Sequence, residues 1–372
     1  MLRPACRWLT IVLGLTLATA SQAAGVRAVT VADGIKMGWA FAFLPDGSML
    51  VTERPGQLRH INRDGQVGKP IAGVPEVVYK GQGGLLDVIV DSGFANNQTI
   101  YFCYSEAGDG GNSTALARAK LAKDQRSLTD LRVIFRQSPK FDSRAHFGCR
   151  IVETPDGKLF LTLGDRFARM QDAQTLDTHH GKVVRIEKDG TVPKDNPFAK
   201  RDGALPETWS YGHRNLQGAA LDSSGQLWTT EHGPQGGDEL NHPEAGRNYG
   251  WPVITYGENY GGGKIGDGIT AKAGLEQPVK YWAPSIAPSG LAYLTSDKYG
   301  KDWRGSFFAG SLKFRFVTRV PITMSSNGAT AGKEERVVEL GQRVRDVRQG
   351  PDGLLYALTE DPRGRIVRLE PQ

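Results

Sequence analysis

Short apolar runs recur along the chain, and each is opened by a tight polar turn. Pro45-Asp46-Gly47 leads into residues 48–52, Pro155-Asp156-Gly157 into 158–162, Asp222-Ser223-Ser224-Gly225 into 226–229, and Pro351-Asp352-Gly353 into 354–359. Weaker echoes stand at Asp91-Ser92-Gly93 before 99–104 and at Pro288-Ser289-Gly290 before 291–295. A turn followed by a short apolar run is the signature of a β-strand, and the 3.6-residue period of an amphipathic helix is nearly absent. The repeats start at 46, 91, 156, 224, 289 and 352, so they lie 45, 65, 68, 65 and 63 residues apart. Six units of similar length predict radial repetition: an all-β, six-bladed β-propeller with about four antiparallel strands per blade. A jelly roll or sandwich would not explain so regular a spacing. Even spacing also makes residues 24–372 a single domain. The strand 26–31 is expected beside 366–369 in the last blade, where it would close the ring and remove an exposed edge. Residues 120–132 are expected to form a charged surface hairpin or a short helix.

Composition changes this picture at four points. Glycine, at 47 residues, is abundant, as turn-dense all-β chains need. Residues 1–23 read as a cleaved secretory signal: Arg3 and Arg7, an apolar run from 9 to 20, then small-residue cleavage sites at Ala18-Thr19-Ala20 and Ser21-Gln22-Ala23. That run is short for a membrane span, and no later stretch approaches it, so the mature chain is expected to be soluble and exported to the periplasm, without membrane insertion. Removing Arg3 and Arg7 takes the formal charge from +6 to +4, a mild excess that predicts no nucleic-acid role. Of three cysteines, Cys6 leaves with the signal; an oxidising compartment permits Cys103 and Cys149 to pair but does not require it.

The polar residues concentrate in 209–252. His213-Arg214-Asn215 is expected to precede a strand at 226–231, followed by His232-Gly233-Pro234, Gly236-Gly237-Asp238-Glu239 and Arg247-Asn248-Tyr249-Gly250-Trp251-Pro252. Carbonyls fixed by Gly and Pro, with Asp238 and Glu239, suit a hard cation such as calcium; two ordinary Gly-rich turns would read the same way. Elsewhere, Gln82 sits among glycines in Gly81-Gln82-Gly83-Gly84, either as a donor to a ligand or in a plain turn. His146, at the entrance to a strand, has the chemistry of a general base, although a lone histidine is more often structural; His179 and His180 carry the same bland alternative. Asp165-Arg166 is readable as a salt-bridged turn. Lys313, Arg343, Arg345 and Arg348 form a basic set, and Arg343 and Arg345 share one face if their segment is extended. With Arg214 they could hold a polyanion through bidentate contacts; a solvated strand face is the alternative. No P-loop, dinucleotide fingerprint, cysteine metal pair or nucleophile elbow is present.

The runs GQGGLLD (81–87), HFGCRI (146–151), GHRNLQG (212–218), EHGPQGGDE (231–239), GRNYGWP (246–252), SLK (311–313) and RVRDV (343–347) together resemble the soluble, pyrroloquinoline quinone (PQQ)-dependent sugar dehydrogenases, in particular the periplasmic aldose sugar dehydrogenase branch. The resemblance implies a six-bladed propeller with PQQ in the mouth of its central cavity. It matches His146 to the catalytic base, with Arg214 stabilising developing charge. It matches Gln82, Arg214, Asn215, Lys313, Arg343 and Arg345 to cofactor contacts. Gly233 and Pro234 carbonyls match ligands of a calcium ion at the cofactor, and Glu239 and Tyr249 match calcium ligands in the following loop; Tyr256 and Glu258 suggest a further ion. The implied reaction oxidises an aldose at C1 to its lactone and passes electrons to an external acceptor. The carboxylate that precedes the catalytic histidine in the glucose dehydrogenase branch is replaced here by Ala145, and Asp142 or Asp165 could substitute for it. A calcium-dependent propeller hydrolase and a non-catalytic sugar- or protein-binding propeller remain alternatives. The chain is expected as a monomer or homodimer.

Overall fold

A computed structural model describes residues 25–372. The expected signal peptide, 1–23, lies outside the described residues.

Six antiparallel sheets follow one another around the ring. The innermost strand of each blade is Gly38–Phe43, Leu85–Val90, Ile151–Glu153, Leu216–Leu221, Pro288–Tyr293 and Arg343–Gln349, for blades one to six. Each packs on the next, and the sixth packs on the first, so the ring is closed. Those of blades one, two and five are buried almost throughout because sheet lies on both sides of them. Convergence demands small residues: a Cβ on Gly218 would lie 2.3 Å from the Ser289 carbonyl, and one on Gly290 would lie 2.6 Å from the Asp346 Cα.

Ring closure is by the N-terminal strand. Val26–Ile35 pairs antiparallel with Gly364–Pro371, with Ala28 opposite Leu369 and Thr30 opposite Val367, as the pattern predicts. The polar turns at 45–47, 91–93, 155–157, 222–225 and 351–353 each join a first strand to a second. The fifth echo in the chain does not. Pro288-Ser289-Gly290 lies inside the inner strand of blade five, and its glycine permits close strand approach rather than a turn. The segment 120–132 is a surface hairpin, between Gly111–Leu121 and Leu128–Arg136. Cys103, in the second strand of blade two, is bonded to Cys149 in the loop entering blade three.

A buried ionic network crosses the axis. Arg150 reaches Asp346 at 2.9 Å and Asp87 at 3.4 Å, and Arg348 reaches Asp87 at 2.5 Å and Asp346 at 2.8 Å. The Arg150 guanidinium also lies 4.1 Å from the Trp39 ring centroid and donates to the Gln217 carbonyl. Blades one, two, three, four and six are thereby linked. Removing one partner of such a network leaves an uncompensated buried charge, at about 3–5 kcal/mol. Asp346→Ala is therefore expected to lower unfolding free energy by about 3–5 kcal/mol in denaturant titrations. A loss under about 1 kcal/mol would show that the ring holds without this network.

Candidate functional site

The topology gathers the chemistry on one face. The segments entering first strands and those leaving second strands open on the same end of the ring. Gln82, His146, Arg214 and Asn215 precede first strands; Gly233, Pro234 and Lys313 follow second strands; Arg343 and Arg345 open the sixth inner strand. The trio His213-Arg214-Asn215 leads directly into Leu216–Leu221, not into the strand at Leu227–Glu231; the turn at 222–225 lies between the two.

Two cavities share the His232 wall. The inner one, about 100 Å³, is lined by Gln82, Asn215, Arg343 and Arg345, four of the predicted residues, and also by Arg54 and Glu360. The outer one, about 510 Å³, is lined by Gly233, Pro234, Lys313, Tyr256 and Glu258.

His146 is buried beside the inner cavity. Its backbone N–H donates to Gln82 Oε1 at 2.8 Å, which leaves the Gln82 amide nitrogen without an intramolecular bond. Its Nδ1 lies 2.6 Å from Asp165 Oδ1, and Nε2 makes no hydrogen bond. Asp165 is fully buried; its other oxygen accepts from Trp251 Nε1 at 2.8 Å. Burial holds the His146 imidazole below its ordinary pKa, with the Asp165 carboxylate opposing. Burial would raise Asp165, but the neighbouring His146 and Arg214 outweigh it and hold the carboxyl low. A neutral imidazole, fixed at Nδ1 by a carboxylate with Nε2 free, is the arrangement of a general base. Asp142 does not take this part: it pairs with Lys80 at the exposed surface.

Asp165-Arg166 is not a salt-bridged turn. Arg166 is fully buried and donates to the carbonyls of Ser143, Ala145 and His146 and to Asn112 Oδ1, with its guanidinium 3.7 Å from the Phe147 ring centroid. It locks the histidine loop to the loop that carries Asp165.

Arg214 donates from Nη1 to the carbonyls of His232 (3.0 Å) and Gly233 (2.6 Å), and its buried Nε has no partner. Asn215 accepts from the Gly148 N–H at 3.3 Å, and its amide nitrogen is unbonded. Arg343 and Arg345 reach one carboxylate, that of Glu360, at 3.3 and 2.5 Å, as their alternation in an extended strand predicts. Arg54 joins them at 2.8 Å. Burial would raise Glu360, but Arg345, Arg54 and Arg343 outweigh it and hold its carboxyl down to about 2. Burial lowers Arg345 to about 10, so it stays cationic at neutral pH. Arg348 belongs to the axial network instead.

Arg54 and Glu360 were not singled out in the sequence. A signal existed: Thr52-Glu53-Arg54, Thr230-Glu231-His232 and Thr359-Glu360-Asp361 are the same second-strand terminus in three blades. His180 contacts Asp172 and the Pro139 carbonyl, and His179 accepts from the Ser138 N–H, so both are structural. The glycines flanking Gln82 pack on protein backbone, Gly81 against Arg144 and Gly84 against Arg54, so they form a plain turn.

A family profile, glucose/sorbosone dehydrogenase, matches residues 35–368. The chain belongs to that family. An aldose sugar dehydrogenase of Escherichia coli is 46% identical over 345 residues, covering 91% of each chain. The crystal structure of the soluble Escherichia coli aldose sugar dehydrogenase in its apo form superposes with a TM-score of 0.88 at 44% identity, covering 93% of this chain and 100% of that one. The PQQ-bound aldose sugar dehydrogenase of Streptomyces coelicolor superposes with a TM-score of 0.77 at 28% identity, covering 94% of this chain and 98% of that one.

The residues fit a planar polyanion. Arg54, Arg343 and Arg345 face the inner cavity against a single carboxylate, Lys313 lines the outer cavity without an ion pair among the described residues, and two amide nitrogens are unbonded. For calcium, no three His, Cys, Asp or Glu side chains converge among the described residues, so the donors would be mainly carbonyls. Asp238 is committed to Ser285 and to the Ala287 and Gly233 N–H groups. Burial and the neighbouring Glu231 and Asp238 push Glu239 up to about 8, a concentration of acid that a cation would relieve. The Tyr249 hydroxyl donates to the His242 carbonyl, which leaves its main-chain oxygen as the donor available there.

The His146 titration tests the dyad without any ligand. Its midpoint is expected below the ordinary value of about 6.5. In Asp165→Asn the support for the protonated ring is lost, so the midpoint should fall further. Side-chain NMR across pH 4 to 8 reads both; a midpoint that rises in the variant would contradict this account of the pair.

Proposed function

We propose that this protein is a PQQ-dependent aldose sugar dehydrogenase that oxidises its substrate at C1 to the lactone. The observation that carries the reading is the juxtaposition of the His146–Asp165 pair with a cationic cradle at the mouth of a closed propeller. Bound PQQ supplies the two-electron acceptor for the C1 hydride, and an external acceptor later takes the electrons. His146 Nε2 removes the proton of the anomeric hydroxyl. Asp165 fixes the ring at Nδ1 and stabilises the imidazolium that forms. Arg343, Arg345 and Lys313 would hold the cofactor's carboxylates, and the free amide nitrogens of Gln82 and Asn215 would donate to it. Arg214 would supply positive charge to stabilise negative charge developing on the bound quinone. The Gly233 and Pro234 carbonyls, with Glu239 and the Tyr249 main chain in the next loop, would hold calcium; Tyr256 and Glu258 border the same outer cavity.

We place the mature protein in the periplasm. No helix among the described residues is long and apolar enough to cross a membrane.

Reconstitution tests the reading. Purified protein with PQQ and calcium should reduce an artificial electron-accepting dye in the presence of aldoses, and a chelator should abolish the rate until calcium is restored. His146→Ala is expected to lower kcat by about 10²- to 10⁴-fold with PQQ still bound. Arg345→Ala should weaken PQQ binding by about 10- to 100-fold, the worth of charge-assisted bonds. Absence of PQQ binding and of dye reduction would overturn the assignment.

A further inference from the structure

Beside the base stands a residue that the mechanism does not use. Phe167 is 52% exposed, an unusual state for a phenylalanine in a structured loop, and its ring centroid is 5.3 Å from that of His146 at an interplanar angle of 73°. Its backbone has φ +66°, and Arg166 before it has φ +58°. Bulky side chains rarely adopt this left-handed region, and such strain persists only where the surroundings impose it. Here they do. Asp165 Oδ1, the atom that holds His146 Nδ1, also accepts the Phe167 N–H at 2.8 Å. Arg166, buried beneath, ties the loop to the carbonyls of Ala145 and His146. One carboxylate oxygen thus sets both the base and the aromatic ring, and the ring is kept in the open beside the imidazole rather than folded into the core.

We propose that Phe167 is the platform on which the pyranose ring of the aldose stacks, so that the anomeric hydroxyl is presented to His146. The inference rests on the dehydrogenase reading. A pyranose has an apolar C–H face and a polar rim, and an exposed aromatic face complements the first while the imidazole meets the second. The exposed Phe167 ring lies beside the imidazole to which the anomeric hydroxyl must come. The polar groups of the inner cavity are arranged for a polyanion, and its apolar lining, Trp39, Leu86, Phe147 and Leu312, is almost wholly buried, whereas Phe167 is exposed. Specificity follows: rings with an uninterrupted C–H face should be preferred, while open-chain polyols and short aldehydes, which have no such face, should be poor substrates.

The test is steady-state kinetics on the PQQ- and calcium-loaded protein, comparing wild type with Phe167→Ala and Phe167→Trp. Phe167→Ala should raise KM for glucose by about 5- to 20-fold, with kcat changed by less than about threefold. Its PQQ titration and the acid limb of its pH profile should match wild type, and Phe167→Trp should restore a low KM. Wild-type activity with an unchanged KM in Phe167→Ala would overturn the platform and leave the dehydrogenase assignment standing. A fall in kcat at constant KM, with a shifted pH profile, would also overturn it, because the ring would then act only through His146. Inactive wild type with PQQ would remove both.

Discussion

Closure of the ring is the constraint on which the site depends. The residues at its mouth come from different blades: Arg54 from the first, Gln82 from the second, His146 and Asp165 from the third, Asn215 from the fourth, Lys313 from the fifth, and Arg345 and Glu360 from the sixth. No two neighbouring strands could assemble them. Pairing of Val26–Ile35 with Gly364–Pro371 fixes the first and last blades to each other, and the network of Asp87, Arg150, Asp346 and Arg348 fixes the inner strands across the axis. The Arg150 guanidinium donates to the Arg345 carbonyl, so the axial network and the cationic cradle are joined through one backbone group.

Two carboxylates organise the mouth, and they do so in opposite ways. Asp165 is held ionised by a histidine, a tryptophan N–H and a backbone N–H, and it converts one buried charge into orientation of the His146 imidazole. Glu360 is held ionised by three guanidiniums, and it converts their mutual repulsion into a common alignment. Without Glu360, three like charges around a small cavity would splay into solvent; with it they remain net cationic and pre-aimed. A ligand that brings further negative charge is thereby met by donors whose side-chain entropy is already restricted.

Much of this was legible in the sequence because it follows from local rules. The turn-and-strand repeat specifies the blades, and the alternation Arg343-Val344-Arg345 specifies two guanidiniums on one side. What stayed hidden depends on long-range contact. Asp165 and Arg166 look like an ordinary turn until the histidine loop of residues 145–148, some twenty positions away, is folded against them. Arg54 and Glu360 are separated by almost the whole chain and meet only because the ring closes. The Pro288-Ser289-Gly290 triplet has turn composition, yet packing against Asp346 overrides it, since glycine serves close strand approach as readily as a turn.

The same logic explains why the His146 imidazole is neutral although a carboxylate faces it. Burial is the largest influence and lowers the imidazole; the Asp165 carboxylate opposes it, and Arg214 and Arg166 add to the lowering, so the ring is kept uncharged and able to accept a proton. Once it has accepted one, the same Asp165 oxygen stabilises the cation without moving. The carboxylate therefore favours the protonated ring, while burial and the arginines favour the neutral one. The proposed proton abstraction needs both influences, since the ring must be free to accept a proton and must then carry it.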